Sequence, residues 1–290
     1  MPDIHAQLAE GIDAEKRSDL DHAERCYKSV LEARPAPDIL AEAHCRLANL
    51  HRTHCQWDEA LRHARDSARI ASRFDDKKQY AEALNAEAII HQSQGHFDQA
   101  TPLLERVLEI TSDARLRGIA LQNLGSIAAL SGDLGSAERY FSESYGCFMR
   151  CGNTRGEAHS LNNYGRAALD RGNLTLAEEV LQKAVEIARS AEDREMIALS
   201  TLNYAEAVGR RGDTRRAEDL ASEALGYFAH TGNQWHQIEC LRLLGDIHVR
   251  DHNQATARRC YEEGLELAKK IGARVEMSAL TEALTHLDRG

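Results

Sequence analysis

Asparagine recurs at one phase of the sequence in three positions, Asn123, Asn163 and Asn203, which are 40 residues apart. It is a poor residue for a helix interior because its side chain competes with the backbone for hydrogen bonds. The carboxamide offers a donor and an acceptor, which are the two groups that a peptide backbone needs as partners. The recurrence therefore indicates either a binding role for these side chains or a structural role in which they bond adjacent helices.

A second group of candidate residues is the His- and Cys-rich segment at residues 44–55. His51 and Cys55 are four residues apart, so on a helix both side chains would lie on one face. A specific metal site needs three or four convergent ligands. His44 and His51 fall at packing positions and Cys55 falls at a turn, so roles in the core or the turn are favoured. We expect no metal and no cofactor.

Motifs that would indicate an enzyme do not occur in the sequence. It contains no G-x-x-x-x-G-K-[ST] nucleotide loop, no G-x-G-x-x-G after a strand, no H-E-x-x-H and no G-x-S-x-G. Adjacent carboxylates such as Glu178 and Glu179 belong to charged helix surfaces, where solvated side chains are the ordinary case. We therefore expect a protein without enzymatic activity.

Composition and charge restrict the partners and the compartment. The 36 Lys and Arg residues against 46 Asp and Glu give a net charge of −10, and basic residues alternate with acids, which argues against nucleic acid as a ligand. No apolar run approaches the roughly 18–20 residues that span a bilayer. The seven cysteines, including Cys147 and Cys151, are irregularly spaced and form no disulfide framework. We expect a cytoplasmic protein with no membrane contact.

An internal repeat runs through the chain and determines its fold class. One small residue recurs at spacings of 37 or 40 residues, at Ala23, Ala60, Ala100, Ala137, Ala177, Ala217 and Ala257. A second lies twelve residues earlier in each repeat, at Gly11, Ala48, Ala88, Gly125, Gly165, Ala205 and Gly245. Apolar residues at i, i+3, i+4 and i+7 predict two amphipathic helices per repeat. The aromatic content is only 5%, which also favours an all-α protein.

Turn residues support these helix boundaries. Gly95, Gly132, Gly172 and Gly212 lie where a first helix ends and a left-handed residue is favoured. The residues that follow three of these glycines, Asp133, Asn173 and Asp213, are predicted to cap the second helix.

This pattern resembles the tetratricopeptide repeat (TPR), with small residues twelve apart, a bulky residue just before the first and another four residues after the second. The resemblance covers roughly residues 3–272. The repeats here are longer than the family's unit of about 34 residues, the family's Trp is absent from the first helix, and His51, His91 and His248 replace its Tyr. Such long units are most similar to those of kinesin light chains, Leu-Gly-Asn adaptors and the C-terminal arrays of bacterial signalling ATPases.

The resemblance implies a right-handed superhelical solenoid of antiparallel helix pairs with a concave inner groove. We predict a single solenoid over residues 1–290 with fourteen paired helices and one more at the C-terminal end. The predicted repeats are approximately residues 3–37, 38–77, 78–114, 115–153, 154–193, 194–233 and 234–273, and residues 274–290 form a capping helix.

In the resembling families the first helix of each repeat lines the groove, and Asn side chains there hold the main chain of an extended peptide. The resemblance therefore implies a binding face that includes the three recurring asparagines. The predicted face comprises Asn123, Asn163, Asn203, Asn162, Arg166, Glu206, Arg210, Arg242, Asp246, Arg250, Gln122, Ser126, Asn85, Gln92, Asn49 and Arg52.

Two functions remain open from the sequence. The first is an adaptor that binds a peptide segment or partner protein in the groove. The second is a sensor or regulatory module that acts in trans on a transcriptional regulator or signalling enzyme, with or without a small effector ligand. Few aromatic residues fall on the predicted inner face, so a deep apolar pocket is not indicated. Nothing in the sequence indicates a homo-oligomer.

Overall fold

The computed structural model of the protein describes residues 3–289, and within this range it consists of fifteen α-helices and no strand. The predicted all-α class and the predicted number of helices are confirmed. The helices are α1 (Ile4–Lys16), α2 (Leu20–Glu32), α3 (Pro37–Thr53), α4 (Trp57–Arg73), α5 (Lys77–Ser93), α6 (Phe97–Ile110), α7 (Ala114–Leu130), α8 (Leu134–Cys151), α9 (Thr154–Arg171), α10 (Leu174–Ser190), α11 (Arg194–Arg210), α12 (Thr214–Thr231), α13 (Gln234–Arg250), α14 (Gln254–Ile271) and α15 (Arg274–Arg289). None of them is long and apolar enough to cross a membrane.

The chain divides into two compact units. Unit 1 is Met1–Gly132 and contains α1 to α7; unit 2 is Asp133–Gly290 and contains α8 to α15. Within each unit, successive helices pack against each other. First helices of neighbouring repeats are also in contact, for example α3 with α5 and α9 with α11. Each unit is therefore a stack of helix pairs, as in a helical solenoid. A single solenoid through both units, with the repeat boundaries given above, remains a prediction.

Small residues bring helices close together within each unit. The seven recurring alanines from Ala23 to Ala257 are all fully buried. Twelve residues before Ala257, Gly245 faces the ring of Tyr261, and a methyl group added at Gly245 would lie within 2.5 Å of Cδ1 of that ring. The predicted small and bulky sites are thus opposite sides of the same helix contact.

Polar side chains fix where the helices begin. Asp133, Asn173 and Asp213 each accept a hydrogen bond from a backbone N–H three residues later, in the first turn of α8, α10 and α12 respectively. Side-chain caps of this kind satisfy N–H groups that have no partner within the helix. The predicted caps are confirmed.

Left-handed residues end the first helix of the repeats. The four glycines predicted for this role have φ angles from 77° to 102°. Ser18, Cys55 and His252 occupy the corresponding turn in other repeats, with φ angles of 61°, 56° and 56°. A non-glycine residue in this conformation costs roughly 1–2 kcal/mol because its Cβ crowds the backbone. These three turns hold strained residues that the sequence analysis did not identify.

Replacing Cys55 or His252 with glycine is expected to stabilise the protein by about 0.5–1 kcal/mol. Glycine removes the strain, although its larger conformational entropy in the unfolded chain offsets part of the gain. Urea unfolding followed by circular dichroism measures the change. Cys151→Gly is the control, since Cys151 is also exposed but is the last helical residue of α8, where glycine relieves no strain and should not raise stability. A loss of stability in Cys55→Gly would contradict the prediction.

Candidate functional site

A cavity of about 190 Å³ lies in unit 1 on the face formed by α3, α5 and α7. Side chains on α5 recur every three or four residues along its lining, so they come from one face of the helix. We call this cavity the unit 1 groove. Its lining residues are Glu42, Cys45, Arg46, Asn49, Glu82, Asn85, Ala86, Ile89, Arg115, Leu116 and Ile119.

Asn85 is the most unusual residue of the unit 1 groove. It is only 5% exposed, yet neither its Nδ2 donor nor its Oδ1 acceptor has a hydrogen-bond partner. A buried polar group without a partner costs about 1–3 kcal/mol, and here one side chain has two such groups. Asn85 therefore has an unused donor and an unused acceptor, both buried behind the surface of the cavity wall.

Charged side chains of both signs surround this carboxamide. Arg46 contacts Glu42 at 3.2 Å and Glu15 at 3.3 Å, while Arg115 contacts Glu82 at 2.7 Å. Burial disfavours the charge of Arg46, but Glu15 and Glu42 outweigh it and raise the pKa of the guanidinium. The groove thus has fixed charges of both signs at its edge.

The groove lining also includes an uncharged thiol and a side-chain amide that already has a hydrogen-bond acceptor. Burial raises the pKa of Cys45 to about 12, so the thiol is uncharged at neutral pH. Asn49 donates from Nδ2 to the carbonyl of Cys45 at 3.2 Å, within its own helix. Arg52 and Gln92, which were also predicted for the binding face, do not line this cavity, although Arg52 Nε and Gln92 Oε1 are buried without partners.

In unit 2 the predicted binding residues contact one another across α9 and α11. Asn203 donates from Nδ2 to Oδ1 of Asn162 at 2.9 Å. Glu206 pairs with Arg166 at 3.0 Å and with Arg210 at 2.5 Å. The Asn203–Asn162 and Glu206–Arg166 contacts join α9 to α11, whereas the Glu206–Arg210 pair lies within α11. Asn203 thus has the structural role, bonding an adjacent helix, that was one of the two alternatives for the recurring asparagines.

Further along unit 2, the predicted residues of α13 are paired within their own helix and with α14. Asp246 pairs with Arg242 at 3.3 Å and accepts a hydrogen bond from the Tyr261 hydroxyl at 2.7 Å. The exposed Arg250 lies near Gly209 of α11. Polar groups on this face are thus largely occupied by their neighbours.

The three recurring asparagines lie in different units. Asn123 is on α7 of unit 1, with Gln122 and Ser126, whereas Asn163 and Asn203 are on α9 and α11 of unit 2. All three are partly buried. Their shared role on one binding face remains a prediction.

Buried histidines form a cluster between α3 and α4. His44 and His63 share a hydrogen bond of 2.8 Å between their Nδ1 atoms, and the ring of His51 stacks on that of His63. Nδ1 of His51 contacts Oε1 of Gln56 at 2.5 Å, while Cys55 is exposed in the turn. Burial, followed by the charge of His44, lowers the pKa of His63 to about 4. We call His44, His51 and His63 the histidine cluster.

Comparison with known proteins establishes the family. Residues 39–113 and 156–230 match one tetratricopeptide repeat model, and residues 85–150 match a second. The two segments that match the first model together cover more than half of the chain. The chain belongs to the tetratricopeptide repeat family. No curated protein sequence matches this TPR chain.

Solved structures share the TPR fold at low sequence identity. The apo form of RapI is 15% identical with a TM-score of 0.69, and the alignment covers 93% of this chain and 99% of RapI. A Rap protein complexed with competence and sporulation factor is 14% identical with a TM-score of 0.68, over 98% of this chain and 85% of that one. A signal transduction ATPase with a TPR sensor, from Pyrococcus horikoshii, is 13% identical with a TM-score of 0.78, over 96% of this chain and 44% of the ATPase.

Proposed function

We propose that this TPR protein is a protein–protein interaction module that binds an extended peptide segment of a partner in the unit 1 groove. The observation that carries the proposal is Asn85, whose buried carboxamide has neither of its hydrogen-bonding groups satisfied. A peptide unit supplies one N–H and one C=O, which match the acceptor and donor of this carboxamide once the Asn85 side chain rotates toward the groove.

The charges at the groove edge favour a peptide with charged side chains. Arg46 and Arg115 are each paired with a glutamate, so a ligand carboxylate or ammonium group would join an existing ion pair. Such pairs contribute more to partner choice than to affinity. The main-chain contact with Asn85 would supply affinity, and the groove edge would select among sequences.

In this proposal, the predicted binding residues of unit 2 form a second, less important contact surface for the ligand. Arg166, Glu206 and Arg210 are already bonded to one another, so a ligand there would have to share or replace these contacts. Binding of a regulatory factor by this fold is also suggested by the Rap protein complexed with competence and sporulation factor. The TPR sensor of the Pyrococcus horikoshii ATPase favours a regulatory consequence of binding, exerted on an enzyme or a transcriptional regulator in trans.

Replacing Asn85 with leucine is expected to weaken peptide binding by about 10- to 100-fold. The ligand would lose a hydrogen-bonded partner and leave its own peptide groups unpaired, at a cost of about 1–3 kcal/mol. The protein itself should keep or raise its melting temperature, because two unpaired buried groups are removed and leucine is the better helix former. Peptides selected from a phage-displayed random library with the wild-type protein serve as ligands, and fluorescence anisotropy gives their Kd.

Gln99→Leu is the matched control, because it makes the same replacement of a carboxamide on the exposed side of α6, in the same repeat. It should leave the Kd unchanged. A lower melting temperature in Asn85→Leu would show that the carboxamide has a structural role. Unchanged binding by this variant would remove the peptide from the unit 1 groove, and a library that yields no binder would contradict the proposed class of ligand.

A further inference from the structure

Three side chains of different chemistry converge between α1 and α2, apart from the unit 1 groove. Oε1 of Glu10 lies 2.9 Å from Nε2 of His22, and the same nitrogen lies 3.7 Å from Sγ of Cys26. All three ligand atoms are within 4.8 Å of one another. Among the residues that the structure describes, this is the one group of three His, Cys, Asp or Glu side chains with such a geometry.

Local structure explains why these side chains meet. His22 and Cys26 are four residues apart on α2, so both face the same side of the helix. The Asp19 side chain caps this helix by accepting a hydrogen bond from the backbone N–H of His22. On α1, Gly11 lets the ring of Tyr27 approach closely, since an added Cβ would lie 2.5 Å from its Cε1. This close approach places the neighbouring Glu10 beside the two α2 side chains.

We propose that Glu10, His22 and Cys26 bind a zinc ion. Thiolate, imidazole and carboxylate are the three protein ligands that Zn²⁺ uses, with bonds of about 2.0–2.3 Å. Tetrahedral coordination with these bonds separates neighbouring ligand atoms by about 3.3–3.7 Å. The His22–Cys26 separation of 3.7 Å falls in this range, the His22–Glu10 separation of 2.9 Å is shorter, and Glu10 and Cys26 lie within 4.8 Å of each other. Rotations of the side chains would therefore complete the site.

The three ligands differ in solvent exposure, and this difference places the site at the protein surface. Cys26 is buried, the His22 side chain is 31% exposed and that of Glu10 is 56% exposed. The ion would therefore lie at the protein surface, with a water molecule as the fourth ligand on the Glu10 side. Because Glu10 comes from α1 and the other two ligands come from α2, the ion would join the two helices of the first pair. Its role would then be to hold this pair together.

Titration of the apo full-length chain with Zn²⁺ and with Co²⁺ tests the proposal. We expect one equivalent of Co²⁺ to give a thiolate-to-cobalt charge-transfer band and the visible bands of tetrahedral Co²⁺, both of which Zn²⁺ abolishes. Zn²⁺ should also raise the melting temperature and slow amide hydrogen exchange in residues 4–32. In Cys26→Ser the charge-transfer band should be lost, and in Glu10→Gln the Kd for Zn²⁺ should rise at least tenfold.

Cys151→Ser is the matched control, because Cys151 is an exposed cysteine in unit 2 and its loss should change none of these signals. Circular dichroism of apo Cys26→Ser and Glu10→Gln checks that both variants fold. The absence of a charge-transfer band in the wild type would overturn the proposal. A band that persists in Cys26→Ser and disappears in Cys151→Ser would overturn it equally, since the metal would then bind elsewhere.

Discussion

Alanine in place of Gly245 is expected to destabilise the protein by about 1–3 kcal/mol, because the new methyl group overlaps the ring of Tyr261. The ring has little room to move. Tyr261 is 3% exposed, and its hydroxyl donates to Asp246 at 2.7 Å. Overlap with a ring held at both ends should exceed the gain of up to about 1 kcal/mol that alanine gives in a helix interior. Urea unfolding followed by circular dichroism measures the change.

Gly226→Ala provides the matched control. Gly226 lies within α12, and an added Cβ would meet no atom within 4 Å. This variant should therefore gain about 0.5–1 kcal/mol from helix propensity alone. Opposite signs for the two glycines would support the helix contact described here. Equal stabilisation of both variants would show that α13 and α14 are not packed in this register.

Lowering the pH from 7 to 5 is expected to cost about 2 kcal/mol of stability through His63 alone. Its pKa is about 4 in the folded protein, against the ordinary histidine value of 6.5 that applies to the unfolded chain. The unfolded chain therefore binds the proton more readily. Stability therefore falls as the pH drops below about 6.5, and the loss is complete once the pH is below about 4. Burial is the main cause, and a charge on His44 adds repulsion within the histidine cluster.

His63→Asn tests the contribution of this residue, because the asparagine amide can take the place of Nδ1 in the contact with His44. The variant should show a shallower fall in unfolding free energy between pH 7 and pH 5. In the control His230→Asn, which replaces an exposed histidine of α12, the slope should equal that of the wild type. A wild-type slope in His63→Asn would show that His63 is not the group that takes up the proton.

Features that repeat along the chain could be predicted from the sequence. Ala177 is buried and Asn173 caps α10 because spacing alone places a small residue in the helix contact and a capping residue in the turn. The glycine turns were predicted for the same reason. Cys55 was predicted to lie at a turn, but the left-handed conformation of Ser18, Cys55 and His252 was missed because their residue types do not favour it, although they stand at the repeat spacing from the glycines.

Polar side-chain contacts between helices could not be predicted. Asn85 and Asn203 are both asparagines on first helices, yet only Asn203 has a carboxamide partner, because α9 supplies Asn162 at the matching height. His63 was not recognised as a member of the histidine cluster, since its contact with His44 depends on how α4 lies on α3. Such contacts depend on the side chain that a neighbouring helix presents, and repeat spacing carries no information about that side chain.

The helix caps of unit 2 bear on how a chain of this kind changes length during evolution. Asn153, Asp193 and Asn233 are 40 residues apart, and each caps the start of a first helix through the same backbone contact. Unequal recombination between any two of these positions would place a capping residue directly before a first helix that is normally capped in the same way. A gene could therefore gain or lose one or two whole repeats without creating an uncapped helix at the junction, and only the packing between the newly adjacent repeats would need to adapt.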